Sequence, residues 1–177
     1  MFMISKKICL VGDFNVGKTS LIRRFVDRQF SDQYLSTVGV KISRKNVDLE
    51  EVGGKKNVQV QLLIWDLEGS TKFKAIAPTY LQGSKGVIIV ADLTRSETIE
   101  HIQDHIKLFL SMNPKGQIIV ALNKSDLLDE VKIAKMMASY QLDSEKISAI
   151  YNTSAKTGKN VDEIFQTLTA KIMETSE

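Results

Sequence analysis

The stretch from Ile8 to Ile22, ICLVGDFNVGKTSLI, limits what this chain can fold into more than any other. Four apolar residues suit a buried strand, a helix-like pattern follows over 18–27, and between them GDFNVGKT matches G-x-x-x-x-G-K-[ST]. A strand that stops in a glycine-containing loop and restarts as a helix can wrap an anion. The glycines let consecutive N–H groups converge, and the helix presents its positive end to the same point. Lys18 then supplies a mobile charge for the β- and γ-phosphates of a nucleotide, and the Thr19 hydroxyl a ligand for Mg²⁺. The competing reading is an ordinary strand-to-helix turn, which explains the glycines but not the Lys-Thr pair behind them.

The rest of the chain keeps the same rhythm. Ile4–Val11, Gly86–Ala91 and Gln117–Leu122 are short apolar runs rich in β-branched residues, each followed by turn residues and then a helical pattern. Helices are expected at about 18–27, 72–81, 96–111, 130–140 and 160–174. In the last, Ile164, Leu168 and Ile172 form a stripe, and Asn160 with Glu163 resembles a capped start. Alternation of this kind predicts a parallel sheet covered by helices on both faces. Val40–Val52 and Asn57–Trp65 break it: they flank GGKK with no room for a helix, so they read as a hairpin with one antiparallel edge strand. At 177 residues, without repeats or linkers, the whole chain 1–177 is expected to be one domain.

Composition excludes several classes. The 24 basic and 21 acidic residues leave a net charge of +3, and the basic groups are scattered (Lys6-Lys7, Arg23-Arg24, Arg44-Lys45, Lys55-Lys56) rather than clustered in a nucleic-acid-binding stripe. One cysteine, Cys9, sits inside an apolar run and reads as a small buried side chain. No apolar run approaches a membrane span, Phe2 occupies the place where myristoylation needs glycine, and the tail carries no cysteine to prenylate. The expectation is a cytoplasmic protein with no direct lipid anchor, or one brought to membranes by a partner.

Three further patches bear on the ligand. Asp66 ends the apolar run QLLIW, where a carboxylate can hold Mg²⁺ through water if that strand neighbours the first. NKSD, Asn123 to Asp126, follows another strand at the sheet edge where α/β folds bind ligands. A carboxylate such as Asp126 can accept from both the ring N–H and the exocyclic amine of guanine, whereas adenine offers neither in that arrangement. Lys124 can lay its alkyl stem over the base. TSAK, Thr153 to Lys156, can offer the Ala155 N–H to the guanine oxygen, although such a loop by itself is as readily a turn.

With these motifs in order, GDFNVGKTSLI, STVGV, WDLEG, NKSD and SAK, the chain resembles small GTPases of the Ras superfamily over nearly its whole length, and within them the Rab group. The resemblance implies a P-loop NTPase G domain: a six-stranded, mostly parallel sheet with one antiparallel edge strand and about five helices. It implies phosphate binding by Gly12, Asp13, Asn15, Val16, Gly17, Lys18, Thr19, Ser20 and Gly69, with the Gly69 N–H meeting the γ-phosphate. It implies guanine binding by Phe30, Asn123, Lys124, Asp126, Ser154, Ala155 and Lys156. Thr37 would join Thr19 and Asp66 at Mg²⁺, and Tyr34 would lie near the γ-phosphate. Ile42, Trp65 and Tyr80 fall where Rab-like proteins keep an apolar patch for effectors; half-buried packing without a partner is the other reading. The implied activity is a switch between GTP- and GDP-bound states. Two segments, about 32–41 and 66–76, would be ordered by the γ-phosphate and Mg²⁺ and read by effector, exchange or activating proteins.

The chain also departs from the family. Ser70 stands where members usually place the glutamine that orients the attacking water, and serine is too short to span the same gap. Phe14 and Asn15 replace small residues, and Phe14 there would crowd the γ-phosphate end. Glu68 replaces a small residue: it either lies on the loop surface or substitutes in positioning water. Ser70 and Glu68 are therefore the doubtful catalytic positions, and slow GTP hydrolysis is expected. The alternative is a module that holds GTP and recruits a partner with little or no turnover. An ATP-using phosphotransferase is disfavoured by NKSD. Lys41, where Rab proteins often carry an acidic residue, leaves the partner undefined. His101 and His105 are four apart on an expected helix, a spacing able to bind metal; with no third ligand evident, they read as a solvated face.

Overall fold

The structure, a computed structural model, describes residues 3–33, 39–69, 77–140, 142 and 145–176. Among them, β1 (Ile4–Gly12), β2 (Val40–Val52), β3 (Lys55–Leu67), β4 (Gly86–Asp92), β5 (Gln117–Asn123) and β6 (Ala149–Asn152) form one sheet in the order β2-β3-β1-β4-β5-β6. All neighbours are parallel except β2 and β3, which pair antiparallel from Val40↔Leu67 to Val52↔Lys55. Gly53 and Gly54, at φ 56° and 75°, form the two-residue turn between them; positive φ at both positions matches the twist of a hairpin. The expected sheet, with its antiparallel edge, is the one found.

The helices are α1 (Lys18–Asp27), α2 (Ala77–Leu81), α3 (Ser96–Glu100), α4 (Ile102–Met112), α5 (Glu130–Ser139) and α6 (Val161–Glu174). Side chains alternate across the central strands. Ile8, Leu10, Ile88, Val90, Ile119 and Ala121 face α1 and α6, where Phe25 and Phe165 stack with ring centroids 4.0 Å apart. Cys9, Val11, Val87, Ile89, Ile118 and Val120 face the other way, onto Ile102, Ile106 and Phe109 of α4. Burial on both faces is what lets β4 read as an uninterrupted apolar run. At about 1.5–3 kcal/mol for each large side chain removed from water, these two layers provide the rigid frame for the loops above them. Cys9 is wholly buried, and burial pushes its thiol up to about 11 against the pull of Ser84 and Lys7.

Two expectations need correction. The helix expected over 96–111 is divided at His101, whose N–H is shared between Glu97 O and Ile99 O in a tightened turn. Asn160 holds the N-cap position of α6, its carbonyl accepting the Ile164 N–H at 3.2 Å, but its side chain makes no capping bond. It adopts φ 57°, and its amide donates to Asn152 O at 2.8 Å, tying the helix start to the end of β6. For the helix expected at 72–81, residues 72–76 lie outside the described residues. Among the described residues no helix is long and apolar enough to cross a membrane.

Candidate functional site

The parallel strands all end at one edge of the sheet, and that edge collects the chemistry. Gly12 ends β1, Asp66 is the second-to-last residue of β3, Asp92 ends β4 and Asn123 ends β5. Between β1 and α1 the loop closes through Gly17 at φ 101°, ψ 23°. A Cβ there would strike the Asn123 side-chain amide, so only glycine lets the phosphate loop close against NKSD. Lys18 is buried and donates to Gly12 O at 2.9 Å and Asp13 O at 2.8 Å. Burial lowers its ammonium to about 8, opposed by the carboxylates of Asp66 and Asp13 and assisted by Arg95. A phosphate arriving at this point would supply the counter-charge that burial withholds. The first turn of α1 carries no acidic residue, leaving its positive end for an anion.

Thr19 and Asp66 meet directly, with Thr19 Oγ1 donating to Asp66 Oδ2 at 2.5 Å; Asp66 is only 2% exposed. The β1–β3 pairing, Leu10↔Asp66, brings the carboxylate there. A hydroxyl and a carboxylate oxygen converging beside a phosphate loop are hard donors of the kind Mg²⁺ takes. Thr37, Tyr34 and Ser70 lie outside the described residues.

The base end is built from interlocked polar groups. Asn123 donates to Val16 O at 3.0 Å and accepts from Thr153 Oγ1 at 3.1 Å. Ser154 donates to Asp126 Oδ1 at 2.8 Å and accepts from the Thr157 N–H at 3.1 Å. Lys124, at φ 66°, stretches its ammonium to Asn15 O at 3.0 Å and to the buried Asp92 carboxylate at 2.8 Å, which leaves its stem along the cavity wall. The cavity has a volume of about 360 Å³. Asn15 to Ser20 and Gly69 line it together with Phe30, Asn123, Lys124, Asp126, Ala155 and Lys156. Gly12, Asp13 and Ser154 act from behind this lining: Gly12 and Asp13 through carbonyls that hold Lys18, and Ser154 through Asp126.

Several contacts were beyond sequence reasoning. Asp92 anchors Lys124, and burial, which raises its pKa, is outweighed by the bonds from Lys124 and Thr94. Arg95 donates to Phe14 O at 2.8 Å, while the Phe14 ring is 52% exposed at the cavity mouth. Glu68 Oε2 accepts the Gly39 N–H at 2.9 Å, and the Glu68 N–H donates to Gly39 O at 2.9 Å. This exchange ties the end of β3 to the residue before β2. His101 Nδ1 donates to Asp13 Oδ2 at 2.5 Å and His105 Nε2 to Asp13 Oδ1 at 3.1 Å, so both rings bond to the phosphate loop; of the solvated face expected, only His101, 45% exposed, keeps that character. That Asp13 would turn toward them has no signature in local spacing, because 88 residues separate it from His101.

On the outer side of the hairpin, Ile42 is 50% exposed and pairs in register with Trp65, whose ring lies 6.1 Å from Tyr80. Lys7 Nζ stands 3.7 Å over the Trp65 ring and donates to Tyr80 O at 2.6 Å, so a cation–π contact fixes the indole.

Comparison with known proteins matches this arrangement to one family. Residues 7–174 match the Ras family. The Ras-related protein Rab-13 of Bos taurus is 36% identical over 168 residues, covering 94% of this chain and 79% of the relative. The GTP-binding protein ypt5 of Schizosaccharomyces pombe is 34% identical over 171 residues, 96% and 78% of the two chains. The Ras-related protein Rab-22A of Homo sapiens is 35% identical over 171 residues, 96% and 84%. With a phosphate loop, a Thr–Asp oxygen pair and an Asn-Lys-x-Asp wall around one cavity, the chain belongs to the Ras family, as a Rab-like small GTPase.

Proposed function

We propose that residues 1–177 act as one guanine-nucleotide switch that binds GTP and GDP with Mg²⁺ and hydrolyses GTP slowly. The observation that carries the reading is the Asp126 carboxylate, held by Ser154 at 2.8 Å in the wall of the cavity that Lys18 also lines. An oriented acceptor pair suits the two N–H donors of guanine and leaves adenine unmatched. Sites that reject a ligand by stranding buried polar groups reach roughly 10⁴-fold discrimination.

In this reading Gly12 to Ser20 cradle the phosphates and Lys18 exchanges its carbonyl partners for phosphate oxygens. Phe30, Lys124 and the Ala155 N–H frame the base, with Asn123, Ser154 and Lys156 supporting that wall. Thr19, Asp66 (through water) and Thr37 would hold Mg²⁺, which when bound neutralises phosphate charge. Gly69 and Thr37 would sense the γ-phosphate. The reciprocal bonds between Gly39 and Glu68 join the roots of the two switch segments, so ordering one would favour ordering the other. Partners in general, effectors and regulators, accompany this family; here the Ile42, Trp65 and Tyr80 patch is the surface proposed to meet an effector.

Slow turnover follows from Ser70, which is too short for the water-orienting task, and from Glu68, whose Oε2 accepts a backbone N–H and so is drawn away from a water-positioning role. A second reading, a GTP-holding interaction module with little or no turnover, is favoured by Phe14 at the cavity mouth, where Arg95 already occupies its carbonyl. Identifying the nucleotide that co-purifies, followed by single-turnover GTP cleavage, tests both. Bound GDP and a slow measurable rate support the switch, retained GTP without cleavage supports the module, and no guanine nucleotide binding overturns both.

A further inference from the structure

We propose that His101 and His105 are positioning residues that form a proton-operated clamp on Asp13: with the rings protonated, the phosphate loop favours GTP over GDP more strongly than with the rings neutral. The inference rests on the guanine-nucleotide reading above. Its basis is a three-residue cluster joining the loop to the α3–α4 joint.

Each Asp13 carboxylate oxygen has its own imidazole nitrogen, Oδ2 to His101 Nδ1 at 2.5 Å and Oδ1 to His105 Nε2 at 3.1 Å. The Asp13 side chain is 15% exposed and that of His105 16%, while His101 at 45% opens the cluster to solvent for proton exchange. The backbone of the same loop segment lies close to Gly69, which lines one cavity with both histidines. A Cβ added to Gly69 would lie 2.6 Å from Asp13 C and 2.7 Å from Phe14 N. Asp13 thus meets the histidines through its carboxylate and, through its peptide to Phe14, the glycine that family resemblance assigns to the γ-phosphate. A shift of Asp13 reaches Gly69 without an intermediary.

The charges around the cluster come from several elements. Lys18 donates to Asp13 O from α1, and Arg95, before α3, donates to Phe14 O and pairs with Glu97 at 3.4 Å. Glu68, past β3, and Asp104, on α4, line a cavity of about 150 Å³ shared with both histidines. Histidine is the side chain whose charge ordinarily changes between pH 5 and 8. Protonating both rings takes Asp13 and its partners from one net negative charge to one net positive charge. GTP brings an extra phosphate toward this end and GDP does not, so the change acts on the difference between them. Burial raises the Asp13 pKa, but the hydrogen bonds from His105 and His101, with their charges, outweigh it and hold the carboxyl at about 2. Among the described residues no group of three His, Cys, Asp or Glu is arranged to hold a metal ion.

The test measures dissociation of a fluorescent non-hydrolysable GTP analogue and of fluorescent GDP from the full chain with Mg²⁺, between pH 5.5 and 8.5. The expected result is that the ratio of GDP to GTP-analogue dissociation rates rises about three- to tenfold toward acid, the scale of gaining charge assistance in a hydrogen bond. The pair His101→Asn and His105→Gln keeps neutral N–H donors at similar reach and should lose that rise. The γ-phosphate's own titration is common to both proteins, so the difference between their profiles reads the clamp. The single variants His101→Asn and His105→Gln, each leaving one titrating ring, should each lose part of the rise and decide the matter if the double variant does not fold. Nucleotide binding with superimposed profiles overturns the clamp alone. A wild-type chain that binds neither nucleotide at any pH overturns the guanine-nucleotide reading and this inference with it.

Discussion

The two ends of the cavity are built on different plans. At the base end Asn123, Thr153 and Ser154 are buried, and their side chains bond to groups held by the sheet edge or the phosphate loop. At the phosphate end the Phe14 ring is half-exposed, Glu68 reaches back to Gly39, and Asp13 is gripped by two histidines, one of them open to solvent. A preorganised, desolvated wall selects which ligand enters, because a wrong base strands its polar groups. On the proposed reading, groups on the outer surface, bonded to the two switch segments, would set how long a state lasts.

That contrast is open to attack at both ends. The largest effect is expected for Asp126→Ala: affinity for GTP and GDP, measured by calorimetry, should fall by about 10³–10⁴. A loss below tenfold would mean that the base end is not the selective one. Ser154→Ala removes only the hydroxyl that orients Asp126 and should cost about tenfold or more, the scale of a hydrogen bond to a charged group. Ser70→Gln restores a side chain long enough to orient water and should raise single-turnover hydrolysis by roughly tenfold, far below the 10³–10⁵ an arginine finger supplies. An unchanged rate would mean that Ser70 does not limit hydrolysis and would point to Phe14 instead.

The pH dependence of stability isolates the clamp from nucleotide chemistry. Asp13 has a folded-state pKa of about 2, below its ordinary 3.8, so the folded protein holds the proton less tightly than the unfolded chain. Its contribution is therefore present above about pH 4 and is lost as pH falls toward 2. Asp13→Asn should flatten that acid limb in denaturant titrations, and an identical limb would show that the carboxylate contributes nothing to folding. The smallest effect is expected for Glu68→Ala. Loss of its bond to Gly39 should cost about 1 kcal/mol, or roughly 2–4 °C in Tm, with the hydrolysis rate unchanged. A slowed rate would return Glu68 to the catalytic role.

Much of this was legible in the amino-acid sequence because the constraints are local. A phosphate loop needs its glycines, Lys18 and Thr19 within eight consecutive residues, and NKSD and TSAK each follow their own strand. The alternation of buried runs and amphipathic helices carries the sheet, and Gly53-Gly54 carries the hairpin, since both are properties of neighbouring residues. What tertiary structure decided lies where distant segments meet. The pairing of His101 and His105 with Asp13, the reach of Arg95 to Phe14 O, the Asp92 anchor beneath Lys124 and the bonds between Glu68 and Gly39 each join residues 29 to 92 positions apart. Nothing in the spacing of two histidines on a helix tells whether that face meets water or a carboxylate. That depends on how α4 lies against the end of β1, which the buried faces of the sheet determine by packing. Sequence alone determined the fold, the family and the motifs that make up the candidate site; packing decided which side chains hold those residues in place, because that is set by where surfaces close.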